Sequence, residues 1–358
     1  MPRERKTELS ASNVVLMLLV IFIHTAAECV SGYQTSSLPF LLVTPVHRAA
    51  TFAVQGFLFL GGLKLALGFG PEFSFRRYAR GRLLRVGLPY LIAFIVYYAV
   101  YAVIGRIAPS LPHALGEFFT GGLTGHFYYI AAFAQFCLLV PLWRLLADRA
   151  HPALLLFVSL AVTLIAMDHM PELVRLLTGS RVELTKNDRL FTTYLFYWTA
   201  GMTAGRHYGA FTAFLEKRRR SLLTLWFLSA VIDAALYIVI RQGVYYPIWA
   251  DDFHLFTSTF AILSLLSLSL AAKDKSALRS PLFCAVDRAS YLVYLWHPMV
   301  ILFLDASLNQ AGIASLTVRF LVRTILTAPI SILLCVLWQK LVSGALTELR
   351  ARKEGPSC

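Results

Sequence analysis

Charged residues are scarce in this sequence. Asp, Glu, Lys and Arg together make up 15% of its 358 residues, whereas a soluble domain typically contains about a quarter. Hydrophobic residues make up 58%. This composition is typical of membrane proteins, so the length of the chain indicates a number of membrane-spanning helices rather than a number of soluble domains.

Closely spaced metal or disulfide ligands are also missing. The five cysteines are scattered along the chain, and no C-x-x-C or Cys/His ligand spacing occurs. This argues against a structural zinc site and against a disulfide framework. The sequence also lacks the G-x-S-x-G, P-loop, H-E-x-x-H and G-x-G-x-x-G motifs. Hydrolase, NTPase and dinucleotide-binding functions therefore have no support, and neither a metal nor a permanently bound cofactor is expected.

Long apolar runs dominate what is present. A helix of about 20 residues crosses the hydrocarbon core of a bilayer, and ten runs of roughly that length occur, at residues 11–30, 47–68, 87–105, 127–146, 152–169, 190–207, 221–240, 254–272, 288–306 and 320–342. The sequence thus predicts an all-α polytopic membrane protein with about ten transmembrane helices. We expect one membrane domain over residues 1–358, with short tails at 1–9 and 343–358.

Basic residues outnumber acidic ones, 33 to 19, which gives a net charge of +14. With ten crossings and a cytoplasmic N-terminus, most of the Lys and Arg fall in cytoplasmic loops, as the positive-inside rule requires. This explains the charge without a nucleic-acid partner. It predicts a multi-pass protein of the cell membrane with both termini in the cytoplasm.

The first apolar run contains an imidazole and a carboxylate, His24 and Glu28. His24 lies about 21 Å from the helix start near Ser10, and Glu28 follows one turn later on the same face. Ionisable groups at this depth are costly and are functional candidates by default. A carboxylate that orients an imidazole suits a general base. The structural alternative is a helix–helix hydrogen bond for His24 and a solvated interfacial acid for Glu28.

Further polar residues in apolar runs are candidates to line a substrate path. Asn13 shares a helix face with His24, about 16 Å away along the axis. His297 lies about 14 Å into its run, and the following Pro298 should release the carbonyl of Tyr294 from helical hydrogen bonding. A polar cavity or a structural kink would each fit this pattern.

Two more candidates lie in the stretch 125–143. His126 is expected at the outer surface, where this run begins, and Gln135 lies in mid-helix. Both are predicted to line the substrate path.

An arginine-rich segment, "SFRRYARGRLLRVGLPY" (74–90), follows the second apolar run. Arg77 and Arg80, and likewise Arg82 and Arg85, are spaced i, i+3 at a predicted inner membrane boundary. Clustered guanidinium groups suit phosphate groups, which they bind in a bidentate manner. The alternative is an ordinary positive-inside loop that contacts anionic membrane lipids.

Taken in order, these stretches resemble the integral-membrane acyltransferase-3 family over about residues 8–341. The resemblance rests on these segments: "VVLMLLVIFIH", "VQGFLFLGGLKL", "RRYARGRLLRVGLPY", "GHFYYI…VPLW", "YLFYWTAGMTAGR" and "SYLVYLWHPM". It implies a ten-helix enzyme that takes an acyl group, usually acetyl, from cytoplasmic acyl-CoA and commonly delivers it to a hydroxyl of an envelope saccharide.

Individual residues can be matched to that family. His24 matches its helix-one histidine, and Arg82 and Arg85 match an Arg-x-x-Arg element linked to donor binding. Two positions depart from the pattern: Asn13 stands where many members have Arg, and Gly61 replaces the Ser of a Ser-Gly segment. Asn can donate a hydrogen bond but cannot neutralise a phosphate or a carboxylate.

The residues and the resemblance together predict an acyltransferase with His24 as general base and Glu28 as its orienting group. Acyl-CoA would be the co-substrate, and its phosphates would bind Arg77, Arg80, Arg82 and Arg85. His297 and Gln135 would line the path or bind the tetrahedral oxyanion. Direct transfer and an acylated His24 both remain open.

The alternative function is a proton-coupled transporter or flippase of an envelope precursor, with His24, Glu28 and His297 as a proton relay. The absence of an evident inverted repeat in the sequence argues mildly against it. The identity of the acceptor and of the acyl chain stays open at this point.

Overall fold

The computed structural model describes residues 5–177, 179, 187–247 and 249–354, and these residues form helices and no strand. The α-helices are α1 (Thr7–Gly32), α2 (Leu38–Ala50), α3 (Ala53–Gly68), α4 (Phe75–Arg82), α5 (Leu88–Val103), α6 (Leu111–Thr120), α7 (Tyr128–Leu138), α8 (Val140–Arg149), α9 (Pro152–Leu177), α10 (Leu195–Arg206), α11 (Tyr208–Arg241), α12 (Ala250–Ala271), α13 (Pro281–Gln310) and α14 (Leu316–Glu354). A π-helical segment, Leu83–Gly87, joins α4 to α5.

The polytopic all-α prediction is confirmed, with a slightly lower helix count. Among the described residues, eight helical stretches are long and apolar enough to cross a membrane, or nine if the bent pair α7–α8 is one span. They correspond to nine of the ten predicted runs. The exception is the run 190–207, because Phe191–Tyr194 forms a 3-10 helix and leaves α10 only 12 residues.

The bend between α7 and α8 has a local cause. The two helices meet at Leu139 with an angle of 59°. Pro141 has no backbone N–H and its ring clashes with the carbonyl one turn earlier, so the helix cannot continue straight through it. The indole N–H of Trp143 donates to the carbonyl of Phe136 at 2.8 Å and so satisfies a backbone group at the break.

The chain divides into two compact units. Unit 1 comprises Met1–Ala50 and Ala271–Cys358, and unit 2 comprises Thr51–Leu270. In unit 1, α1 packs against α2, α13 and α14, and α13 packs against α14. The face of α1 that these helices cover includes Leu16 and Met17, both fully buried. The helix that contains His24, α1, thus packs against three other helices of unit 1.

In unit 2, α3 and α10 pack at very short range through glycines. A Cβ atom on Gly201 would lie 2.0 Å from the carbonyl oxygen of Phe59, and one on Gly62 would lie 2.2 Å from that of Trp198. Gly201 and Gly205 form a G-x-x-x-G pattern on α10. Such small-residue patterns let helix backbones approach closely in membranes.

This contact leaves no room for a side chain at position 201. We expect Gly201→Ala to lower the free energy of unfolding by about 1–3 kcal/mol, because overpacking forces backbone shifts. Thermal unfolding of the purified full chain in detergent measures the effect. Gly209→Ala on α11 is the matched control, since a Cβ atom there meets nothing within 4 Å. Equal stability of the two variants would contradict close packing of α3 on α10.

Candidate active site

Two histidines on different helices lie together in unit 1. The ring centroids of His24 on α1 and His297 on α13 are 5.1 Å apart, with an angle of 49° between the planes. His297 is fully buried and His24 is half-buried. Two positive rings at this separation would repel strongly in a medium of low dielectric constant. Simultaneous protonation of both rings is therefore disfavoured at this separation.

The orientation of His297 follows from the proline beside it. Pro298 cannot donate to the carbonyl of Tyr294, and Nδ1 of His297 lies 2.8 Å from that carbonyl oxygen instead. Nδ1 also lies 3.2 Å from the carbonyl oxygen of Val293. Because a carbonyl only accepts, Nδ1 carries the hydrogen and Nε2 carries the lone pair. The backbone thus fixes the tautomer of a buried imidazole.

A third imidazole, that of His47, lies on α2, which packs against α1. The sequence interpretation missed it because the apolar run was taken to begin at residue 47. The structure shows that the helix begins at Leu38 and includes Pro45, so His47 lies inside a helix that packs on α1. Unit 1 therefore contains three imidazoles on α1, α2 and α13, helices of which α2 and α13 pack against α1.

Glu28 has a different partner from the one predicted. Its carboxylate pairs with Nη1 of Arg323 on α14, a residue whose side chain is only 4% exposed. Arg323 also binds Asp305 on α13 at 2.5 Å. A guanidinium is always charged and attracts a carboxylate more strongly than a neutral imidazole does. The geometry therefore assigns Glu28 to an ion-pair network and does not support its predicted role as the orienting group of His24.

Asn13 belongs to a polar cluster nearer the start of α1. Its amide donates to Asp287 at 3.1 Å and to Ser290 at 2.7 Å, both on α13. Arg5 binds the same carboxylate at 2.8 Å. Partial burial tends to lower the pKa of Arg5, but the hydrogen bond and the charge of Asp287 outweigh it and raise that pKa. A cation therefore stands beside Asn13, although Asn13 itself has no charge.

The arginine-rich segment forms an exposed basic surface in unit 2. Arg82 stacks on Tyr78 and Phe133, with its guanidinium carbon 5.1 Å and 5.7 Å from the two ring centroids. The other predicted arginines, Arg77, Arg80 and Arg85, are exposed. No described carboxylate pairs with any of the four. Arg82 also makes a side-chain hydrogen bond with Tyr78. A guanidinium has several N–H donors, so others stay available for an anion.

The two candidates from the stretch 125–143 have structural contacts. The amide nitrogen of Gln135 donates to the carbonyl of Arg189 at 2.7 Å, and its oxygen accepts from the N–H of Phe191 at 3.2 Å. His126 is 1% exposed, not at the surface as expected, and its Nδ1 bonds Thr124 at 2.7 Å. The bonds of Gln135 tie residues 189–191 to α7, and the bond of His126 lies within the segment before α7. This geometry does not support a place for either residue in a substrate path.

A histidine–aspartate pair in unit 2 was not predicted. Nδ1 of His254 on α12 lies 2.7 Å from a carboxylate oxygen of Asp233 on α11, and the Asp233 side chain is 3% exposed. Nε2 of His254 lies 3.2 Å from the Thr51 hydroxyl and 3.3 Å from the Ser258 hydroxyl. The signal was present in the sequence, since each is an ionisable residue inside an apolar run. Its bonds join three segments of unit 2.

The described residues contain no group of three or more His, Cys, Asp or Glu side chains that could hold a metal ion. Comparison with known proteins finds one family. Residues 13–338 match the model of a family described as an acyltransferase domain. No curated protein and no solved structure matches the chain.

Proposed function

The chain belongs to the acyltransferase-3 family, and from this premise we propose that it moves an acyl group, most simply acetyl, from acyl-CoA to a hydroxyl of an envelope saccharide or related acceptor. The observation that carries the proposal is the His24–His297 pair, 5.1 Å apart on two helices of unit 1. Adjacent imidazoles inside apolar helices are costly, and such ionisable groups in a membrane protein are functional candidates by default.

His24 acts as the general base in this proposal. As it removes the proton of the acceptor hydroxyl, the oxygen attacks the thioester carbonyl, and a C–O bond forms. The tetrahedral intermediate then collapses, the C–S bond breaks, and the proton on His24 passes to the departing CoA thiolate. His297, whose tautomer is fixed by the carbonyl of Tyr294, takes over the orienting role first expected of Glu28.

The donor binds through the arginines of α4 and the π-helical segment. CoA carries phosphates that the exposed Arg77, Arg80 and Arg85 and the aromatic-stacked Arg82 are suited to bind. The absence of an ion-pairing carboxylate for these four groups among the described residues supports this use. A loop that served only membrane orientation would not need an arginine stacked between two aromatic rings.

Acyl-CoA binding should therefore depend on specific arginines rather than on net charge. We expect Arg82→Ala with Arg85→Ala to weaken CoA binding to the purified protein at least about tenfold, since a hydrogen bond to a charged group contributes about 1.5–3 kcal/mol. Isothermal titration calorimetry provides the measurement. The control, Arg218→Ala with Arg220→Ala, removes the same charge from exposed positions on α11. Equal affinity in the two double variants would overturn the assignment.

We further propose that the protein spans the cell membrane with both termini in the cytoplasm. The distribution of Lys and Arg along the sequence, counted over ten crossings, supports this. A reporter enzyme active only in the cytoplasm, fused after residue 358, tests this arrangement. Absence of reporter activity, with the fusion protein present at its normal level in the membrane, would contradict it.

The biological acceptor can be found by mass spectrometry of envelope glycans from cells with and without the gene. The proposal predicts an ester-linked acyl group that disappears with the gene and returns with the unmodified protein. Identical glycan, lipid and small-molecule acylation in the two strains would contradict a role as an envelope acyltransferase.

A further inference from the structure

A polar cleft opens in unit 1 where α13 turns into α14. Its volume is about 450 Å³, and its lining includes Glu28 of α1, Asn309 of α13, Gly312 and Ala314 of the turn, and Arg319 of α14. Sites that hold small organic ligands typically measure about 300–1,000 Å³. The cleft is therefore large enough for a compact ligand, and nothing in the catalytic scheme above uses it.

The rim of the cleft is held rigidly. Gly312 adopts a left-handed conformation, with φ of 68°, which ends α13. The N–H of Ile313 returns to the carbonyl of Leu308 at 2.9 Å, a bond typical of a helix terminus of this kind. Arg319 then donates to the side chain of Asn309 at 2.6 Å and to the carbonyl of Ile313 at 3.3 Å. The polar groups of the rim are thus positioned before any ligand arrives.

The positive and negative side chains around the cleft are equal in number, and only one of these side chains is well exposed. Arg319 and Arg323 face Glu28 and Asp305 in one ion-pair network. The side chains of Arg323 and Arg319 are 4% and 13% exposed, whereas that of Glu28 is 43% exposed. A ligand therefore meets a carboxylate, which repels an anion and accepts hydrogen bonds from hydroxyl groups.

Asn309 provides the complementary donor. Its side-chain oxygen accepts from Arg319, so its exposed amide nitrogen is oriented to donate. An acceptor of hydrogen bonds beside a donor of hydrogen bonds suits a molecule rich in hydroxyl groups and without charge. Glu28 also lies one helical turn, or about 6 Å along the axis, from His24 on α1. A ligand in the cleft is therefore about one turn from the paired imidazoles.

We propose that this cleft is the acceptor subsite and that it binds a neutral sugar, two neighbouring hydroxyls of which donate to Glu28 while another accepts from Asn309. The identification as an acceptor subsite rests on the proposed function. Sugar binding itself does not, because it needs neither acyl-CoA nor transfer. The balanced charge and the exposed carboxylate select a neutral ring over an anionic one.

Saturation-transfer NMR tests the proposal, with the purified full chain in detergent and methyl β-D-glucopyranoside as the probe. We expect saturation transfer to the sugar protons of the unmodified protein. Ala314→Trp, which fills the cleft, should weaken binding more than tenfold. Ala311→Trp is the matched control, because Ala311 is an equally exposed alanine of the same turn that does not line the cleft. Its binding should equal that of the unmodified protein.

Three results would overturn the proposal: no saturation transfer with the unmodified protein, equal binding by the two tryptophan variants, or tighter binding of methyl β-D-glucuronide than of the neutral glycoside. Asn309→Ala provides a second variant that adds no bulk, and we expect it to weaken sugar binding severalfold. Binding of the glycoside by a protein that releases no CoA thiol would leave the sugar site in place and reject only the transferase. Acyl transfer without sugar binding in the cleft would reject the sugar site and leave the transferase function in place.

Discussion

His24→Ala is expected to lower kcat for acyl transfer by about 10²–10⁴-fold, the contribution typical of a positioned general base. Without the imidazole, the acceptor hydroxyl loses the group that would take its proton as it attacks. The measurement is the rate of thiol release from acetyl-CoA by purified protein in the presence of acceptor. Yield after membrane extraction and the thermal unfolding temperature should match those of the unmodified protein.

Two further substitutions make this test specific. His151→Ala removes an exposed imidazole at the start of α9 and should leave the rate unchanged. His297→Gln should lower kcat and alter its pH profile, because the orienting ring is lost while the half-buried His24 stays in place. Retention of activity within twofold by His24→Ala would remove the histidine mechanism, whatever the behaviour of the other variants.

The largest expected effect on stability comes from Arg323→Ala. Its guanidinium is 4% exposed and pairs with both Glu28 and Asp305. Removal of one member of a buried ion-pair network leaves uncompensated charges, which typically destabilises a protein by about 3–5 kcal/mol. We expect a loss of this size in the free energy of unfolding of the purified full chain in detergent, measured by tryptophan fluorescence.

The matched control is Arg279→Ala. Arg279 pairs with Asp274 at 3.1 Å, but both side chains are well exposed, so the loss should stay below about 1 kcal/mol. Glu28→Gln in the Arg323→Ala background should recover part of the lost stability, because it removes the one excess carboxylate and Asp305 still pairs with Arg319 at 3.5 Å. Equal losses of stability in Arg279→Ala and Arg323→Ala would contradict the claim that the buried ion-pair network stabilises the fold.

The helical, polytopic architecture could be predicted because it depends on a property of single segments. A run of about 20 apolar residues satisfies its backbone internally and buries its side chains in lipid, whatever its neighbours are. The run 190–207 was the exception. Its length suggested a full span, but a 3-10 turn at Phe191–Tyr194 shortens α10, and this local geometry is not encoded in hydropathy.

The partners of polar residues could be predicted only in part. The depth of His24 follows from the rise per residue of one helix, and the release of the Tyr294 carbonyl follows from the missing N–H of Pro298 in the same helix. That His24 faces His297 depends on how α1 packs on α13, which no segment specifies alone. Glu28 shows the same limit: its i, i+4 spacing to His24 was correct, but Arg323, about 300 residues later, is the stronger partner.

Other functional candidates were missed for identifiable reasons. His47 is the first residue of the predicted run 47–68 and was not named as a candidate, although α2 begins nine residues earlier. Asp233 and His254 each stood as an isolated ionisable residue in an apolar run. Opposite or complementary charges in different membrane helices can be expected to pair, and applying that rule to the whole sequence would have suggested both Asp233–His254 and Asp305–Arg323.

The central claim is that the chain uses acyl-CoA for transfer to a hydroxyl. The most direct test is the stoichiometry of products from purified protein reconstituted in liposomes with acetyl-CoA and a panel of glycoside acceptors. Our account predicts one free CoA thiol for each acetyl ester formed, at a rate that depends on acceptor concentration. Movement of a glycoside across the bilayer with no thiol released would contradict this account and favour a transporter.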